Sequence, residues 1–254
     1  MAKINSIDRA IDILSLIYDN NREMGISEIA RELDVYKSTV FRTLETLEER
    51  GFVTKNENSK YWLGIKLYAL GSVAGKALPF KNLIQPYARA VSEKFNEVVN
   101  VSILDETTID FPTTILIIKE TAVNHSLITA NPPLGASSKA HYSAVGKCLL
   151  AYTHKSKLDS YKCYDLPVYT ENTISNWDDL MEELEKVRKV GYAMDNEDYE
   201  IGLTCIAVPI LDSNNKAVAA MSVSGPSKRM RQHDYKTIIS ELQQTSNEIS
   251  KRLN

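Results

Sequence analysis

Apolar residues recur every three to four positions across 7–18, 27–33, 37–50, 65–78, 82–97, 143–152, 156–161, 177–190 and 235–253. That spacing predicts amphipathic helices. Alternating or continuous apolar runs at 98–104, 113–119, 126–130, 192–194, 203–211 and 217–224 predict strands. In the first helix Ile7, Ala10, Ile11, Leu14, Ile17 and Tyr18 share a face. Ser27 is placed to cap the second, with Ile29, Ala30 and Leu33 behind it. Asp34-Val35-Tyr36 breaks the pattern as a short corner, and the third helix buries Val40, Leu44 and Leu47. Gly51 stands where a helix ends in a left-handed residue. Short strand-like runs at 52–55 and 60–63 flank Asn56-Glu-Asn-Ser59, a turn by composition.

Three helices followed by a hairpin predict an N-terminal winged helix-turn-helix. The third helix carries Lys37, Ser38, Thr39 and Arg42 in its first turns and Glu45, Glu48 and Glu49 in its last. Phosphate is attracted by the first set and by the positive end of the helix dipole, and repelled by the second. The helix is therefore expected to enter a DNA groove by its N-terminal end. Tyr36 at the corner, and Lys55 and Lys60 at the base of the wing, complete the candidate DNA-binding set. Helix-corner-helix-hairpin units also serve as protein-binding modules, and residues 1–64 hold nine Lys/Arg against eleven Asp/Glu. Affinity then has to come from a few placed cations and from dimerisation, not from bulk charge.

Beyond this domain (1–64), Ile65, Leu67, Leu70, Val73, Ala74 and Leu78 predict a linker helix over 65–79, stopped by Pro79. Its apolar content exceeds what a solvated linker needs, so it is expected to pack on a partner subunit's copy. Residues 80–254 group strands in hairpins and segregate the helices, including one over 82–97 whose face is Leu83, Ile84, Tyr87, Ala90, Val91 and Phe95. This is an α+β domain on a mostly antiparallel sheet.

Alternation places Cys205 with Leu203 and Ala207 on one face of 203–211, and Ser222 with Ala220 and Ser224 on one face of 217–224. If those strands pair, small polar residues leave a space, and Asp195 adds a convergent group. The same serines also read as satisfying backbone groups, and Cys205 as a small buried hydrophobe. His141-Tyr-Ser-Ala-Val-Gly-Lys147 precedes a helix whose first amides attract a carboxylate, or serves only as a capping loop.

The 254 residues carry a net charge of -3 and 43% hydrophobic residues. These values exclude a chain that coats nucleic acid or membrane nonspecifically. No apolar run reaches membrane-spanning length and the N-terminus lacks a signal-peptide core, so a cytoplasmic location is expected. Cys148, Cys163 and Cys205 are odd in number and widely spaced. No metal site, disulfide or cofactor is expected from them. The four histidines (125, 141, 154, 233) are scattered and are read as structural or surface residues.

With these residues in view, the chain resembles the IclR family of bacterial transcriptional regulators over nearly its whole length. The resemblance is carried by Ser6-Ile-Asp-Arg-Ala-Ile-Asp-Ile-Leu14, by Lys37-Ser-Thr-Val-Phe-Arg42 within 26–53, and by Gly135 with His141-Tyr-Ser-Ala-Val-Gly-Lys147. It continues through Gly191-Tyr-Ala-Met-Asp-Asn-Glu197, Gly202-Leu-Thr-Cys-Ile-Ala-Val-Pro209 and Ser222-Val-Ser-Gly-Pro226. It implies a C-terminal GAF-like (profilin-like) effector domain, a homodimer or homotetramer, and ligand-modulated control of a nearby operon. It also implies a small keto or hydroxy acid held by the amides of Ala144 and Val145 and surrounded by Asp195, Cys205, Ser222 and Ser224. Lys139 stands where the family often has Pro, and 105–114 departs from the usual pattern, so ligand identity does not carry over. Asp195 beside a carboxylate must be protonated or must meet a ligand hydroxyl.

The expected function is therefore a ligand-responsive DNA-binding regulator of a catabolic operon, in the sense of a repressor, with operator DNA, a small organic acid and a second copy as partners and no catalytic residues. Two alternatives are a redox sensor acting through Cys205, which needs a depressed thiol pKa, and a small hydrolase using Cys205 or Ser222 with His141 as base.

Overall fold

A computed structural model describes residues 4–78, 80–105, 111–122 and 132–253. The predicted strand at 126–130, the predicted stop at Pro79, His125 and residues 106–110 of the divergent 105–114 segment lie outside the described residues. The chain divides into two compact units, Met1–Leu78 and Pro79–Asn254.

The first unit contains helices α1 (Asn5–Asn20), α2 (Ile26–Glu32), α3 (Lys37–Glu49) and α4 (Ile65–Ala74), and strands β1 (Met24–Gly25), β2 (Val53–Lys55) and β3 (Lys60–Leu63). Its core is Ile13, Ile17, Met24, Ile29, Ala30, Val40, Leu44, Val53 and Tyr61. Three expectations change here. The buried face of α1 is centred on Ile13 and Ile17, while Ile7, Ile11 and Tyr18 are exposed. Ile17 of the predicted face is in the core and Leu14 packs against it, so the buried face is turned toward Ile13 and away from Ile7, Ile11 and Tyr18. Gly25, not Ser27, occupies the N-cap of α2, and no side chain caps it. This follows because β1 pairs with β3 through Met24 and Gly25 and delivers extended backbone directly to Ile26. The wing is consequently three-stranded, in the order β1-β3-β2. The linker helix α4 has no buried residue.

The end of α3 follows the sequence closely. Gly51 has φ +75°, its amide donates to Glu48 O at 2.9 Å, and Phe52 donates to Leu47 O at 2.8 Å. Those two bonds form a Schellman cap, which requires a left-handed residue. Asn56 Oδ1 accepts from the amides of Asn58 and Lys60, each at 3.0 Å, and so closes the β2–β3 turn.

The second unit runs α5 (Phe80–Phe95), β4 (Val98–Asp105), β5 (Thr113–Glu120), β6 (Ser137–Lys139), α6 (Ala144–Ala151), α7 (Lys155–Tyr161), α8 (Trp177–Val190), β7 (Ala193–Asn196), β8 (Leu203–Leu211), β9 (Ala217–Pro226), α9 (Ser227–Met230) and α10 (Tyr235–Leu253). Six strands form an antiparallel sheet in the order β6-β5-β4-β9-β8-β7. Helices α5 and α10 pack on one face, and α6 backed by α8 covers the other. The buried stripe of α5 is Ile84, Ala88, Val91, Ser92 and Phe95; it includes the predicted Ile84, Val91 and Phe95 but not Leu83, Tyr87 and Ala90. Strand β6 and helix α9 were not anticipated; each is too short for a period to register.

Glu97 is fully buried where α5 meets β4. It accepts from Arg229 through Nε and, at 2.6 Å, through a second guanidinium nitrogen, and that pairing raises the Arg229 pKa. A Cβ on Gly225 would stand 2.4 Å from the Glu97 carboxylate, so the glycine makes room for the ion pair.

Candidate effector cavity and DNA-reading surface

The sheet face beneath α6 is graded in side-chain size. Under the body of the helix lie Ala193, Ala207 and Ala220, which let α6 approach closely; Cys148 Sγ reaches Ala207 O at 3.4 Å. All eight residues of α6 are buried. Around its N-terminus the same face carries Asn100, Ser102, Cys205, Ser222 and Ser224, and these short side chains leave a partly open cavity of about 350 Å³. Register explains the gathering. Cys205 lies opposite both Asp195 and Ser224, Ala207 opposite Ser222, and Ser222 opposite Asn100.

Helix α6 starts at Ala144 because Ser143 caps it, its hydroxyl accepting from the Gly146 amide at 3.1 Å. The amides of Ala144 and Val145, the first two of the helix, have no acceptor within it and line the cavity. Gly146 is required at this corner, since a Cβ there would meet Ala140 O at 2.2 Å. Among the described residues no Lys or Arg lines the cavity.

Asp195 is held in place by a buried network. Its Oδ1 accepts from the Asp198 amide at 2.9 Å. Asp198 pairs with Lys147, whose Nζ also donates to Met194 O at 2.9 Å. Burial, then the charge of Asp198, pushes the Asp195 pKa up to about 7. Ser222 and Ser224 hydroxyls lie 3.2 Å apart. The six predicted effector residues, Ala144, Val145, Asp195, Cys205, Ser222 and Ser224, all border this one cavity.

Sequence reasoning missed several lining groups: Asn100 and Ser102 on β4, Thr114 on β5, Ser138 on β6, and Tyr142 and Tyr199. Thr114 and Ser138 hydroxyls lie 2.7 Å apart. The Tyr142 ring stacks on Tyr199 with centroids 4.8 Å apart and meets the edge of Tyr169. A signal existed for two of them: Asn100 and Ser102 interrupt an apolar strand at i and i+2, on one face.

The catalytic and redox alternatives find little footing. His141 is buried, its Nε2 lies 2.9 Å from Pro167 O, and burial lowers its pKa; it does not border the cavity. Burial and the charge of Asp195 raise the Cys205 thiol pKa well above its ordinary value, which disfavours the reactive thiolate. Among the described residues no group of three His, Cys, Asp or Glu could hold a metal, and no helix is long and apolar enough to cross a membrane.

In the first unit, Tyr36 is the N-cap of α3, offers no side-chain cap and is 84% exposed. Lys37, Ser38 and Arg42 are exposed beside it, while Thr39 is half-buried. Among the described residues neither Lys37 nor Arg42 makes an ion pair. Arg42, Thr39 and Thr43 line a groove with Asn5, Ser6 and Arg9 of α1. On the wing, Lys55 and Lys60 are exposed, with Lys55 Nζ 5.7 Å from the centre of the Tyr61 ring. Phe41, 42% exposed among these cations, was also overlooked.

Comparison with known proteins bears on both units. Residues 6–57 match the IclR helix-turn-helix domain, and residues 74–251 match the bacterial transcriptional regulator IclR C-terminal domain. The HTH-type transcriptional regulator BhcR of Paracoccus denitrificans is 35% identical over 231 residues, covering 89% of this chain and 79% of that protein. The transcriptional repressor IclR of Escherichia coli is 28% identical, covering 90% of this chain and 82% of its own. The crystal structure of the Thermotoga maritima IclR covers 99% of both chains at 31% identity with a TM-score of 0.71. The fold, the two matched domains and these relatives identify a transcriptional regulator and not an enzyme: the chain belongs to the IclR family.

Proposed function

We propose that this chain is a cytoplasmic, ligand-responsive repressor of a catabolic operon. It reads operator DNA with Tyr36, Lys37, Ser38, Thr39 and Arg42 at the front of α3, and with Lys55 and Lys60 on the wing. The effector is a small keto or hydroxy carboxylic acid. Its carboxylate meets the amides of Ala144 and Val145, and Asp195, Cys205, Ser222 and Ser224 surround the remainder. The observation that carries this reading is the partly open cavity bordered by the first residues of α6, where short polar side chains interrupt an otherwise apolar lining and no Lys or Arg stands among the described residues. A carboxylate is the anion such amides suit, and an Asp195 that stays protonated to about pH 7 tolerates it. Relatives named as repressors favour that sign of regulation.

The working unit is a homodimer or a dimer of dimers. Exposed Ile4, Ile7, Ile11 and Tyr18 run along one side of α1, and Ile65, Tyr68, Leu70 and Val73 along α4. Contiguous apolar helix faces of this kind are covered by a second copy when two half-sites are read together. The acid acts by binding two arrangements of the paired reading heads unequally. The test is operator binding by the intact chain with and without small acids. Arg42→Ala abolishing operator binding while acids still raise the melting temperature supports the scheme; loss of both contradicts it.

A further inference from the structure

Resting on that reading of the cavity, we infer that the effector is a polyhydroxylated carboxylic acid, and that Asn100 and Ser102 select for its hydroxyl groups. Asn100 Oδ1 is shielded from solvent and has no hydrogen-bond partner among the described residues. It belongs to the cavity wall, on β4, directly opposite Ser222. Ser102, two residues on along the same strand and buried, also makes no side-chain hydrogen bond among the described residues.

These groups stand apart from the α6 amides that suit a carboxylate, and the polar wall continues across the sheet through Ser222, Ser224 and Asp195. A plain fatty acid or an aromatic acid would answer the amides and leave this wall unpaired. A hydroxyl both donates and accepts, so it satisfies an amide oxygen, a serine or a carboxyl group in turn. A chain bearing several hydroxyls can answer the wall along its length. About 350 Å³ accommodates such a chain of about six carbons. An unpaired buried acceptor weakens binding by roughly tenfold to a hundredfold, which sets the expected preference.

The experiment is calorimetric titration of the intact chain with four six-carbon probes: gluconate, hexanoate, glucitol and norleucine. Gluconate is expected to bind at least about tenfold more tightly than each of the others. Asn100→Leu is expected to bring hexanoate level with gluconate, and Ser102→Ala to move the ratio in the same direction by less, with melting temperatures of the free variants confirming that they fold. Hexanoate or norleucine binding wild type as tightly as gluconate overturns the inference while leaving the acid-effector reading intact. Glucitol matching gluconate removes the carboxylate and overturns both. If no probe binds wild type, 4-hydroxybenzoate and pyruvate are titrated next: binding of either overturns the inference alone, and silence from all of them overturns both.

Discussion

Two helices of this chain present their N-termini for an anion, and they do so in opposite ways. Helix α3 begins at an exposed tyrosine, has no side-chain cap, and carries Lys37 and Arg42 free of ion pairs among the described residues. Helix α6 begins at a serine that caps it, is buried throughout, and borders a cavity with no Lys or Arg in its lining among the described residues. In water a helix dipole is a weak attractor, so the exposed end needs full charges and its binding is screened by salt. At the floor of a cavity, away from bulk water, the same amides are electrostatically stronger and depend less on a cation. One end suits a long polyanion, and the other a single small carboxylate.

Breaking either end should separate the two. The largest effect is expected at Gly146: Gly146→Val forces a side chain onto Ala140 O and Ser143 Oγ. It should cost about 3 kcal/mol of stability in the second unit and abolish acid binding, read as melting temperature and calorimetry. Next, Arg42→Ala should weaken operator binding by about tenfold to a hundredfold and lower the salt slope, with acid affinity unchanged. Third, acid affinity should fall with pH above about 7, approaching about tenfold per unit, because Asp195 then ionises beside the bound carboxylate. Asp195→Asn should flatten that profile. The linked effect on folding has a definite sign: Asp195 keeps its proton in the folded chain to about pH 7, whereas its ordinary value is 3.8. The folded state therefore binds more protons between those values, and this contribution, complete below pH 3.8, is lost as pH rises through about 7. The smallest effect is Gly51→Ala, which strains the φ +75° cap of α3 and should cost about 1 kcal/mol in the first unit alone.

The two ends also differ in how much of them the sequence disclosed. The α3 surface lies within a few turns of one helix, so a single period and a glycine cap were enough to draw it. Even there the face of the neighbouring α1 was only half legible: Ile17 and Leu14 meet the core, but a helix apolar on two faces does not say that Ile13 does and Ile7 and Ile11 do not. The cavity is assembled from β4, β5, β6, β7, β8 and β9 together with α6, and only the β8–β9 hairpin and the start of α6 are adjacent enough for alternation to pair their residues. Asn100 and Ser102 became neighbours of Ser222 and Ala220 only when β4 inserted between β5 and β9, a crossover that no local pattern encodes. Strand β6, three residues long, supplied Ser138 with no periodic signal at all.

The central claim is that an acid enclosed beneath α6 alters how tightly α3 holds DNA. The direct test is fluorescence anisotropy of the duplex upstream of the chain's own gene, titrated with intact protein with and without a saturating small acid. The account predicts tight binding at low salt, an operator Kd changed by roughly five- to 150-fold when acid is added, and no such change in a cavity-filled Ser222→Phe variant. An operator Kd that is indifferent to every acid the protein binds, or a shift that persists undiminished in Ser222→Phe, would contradict it.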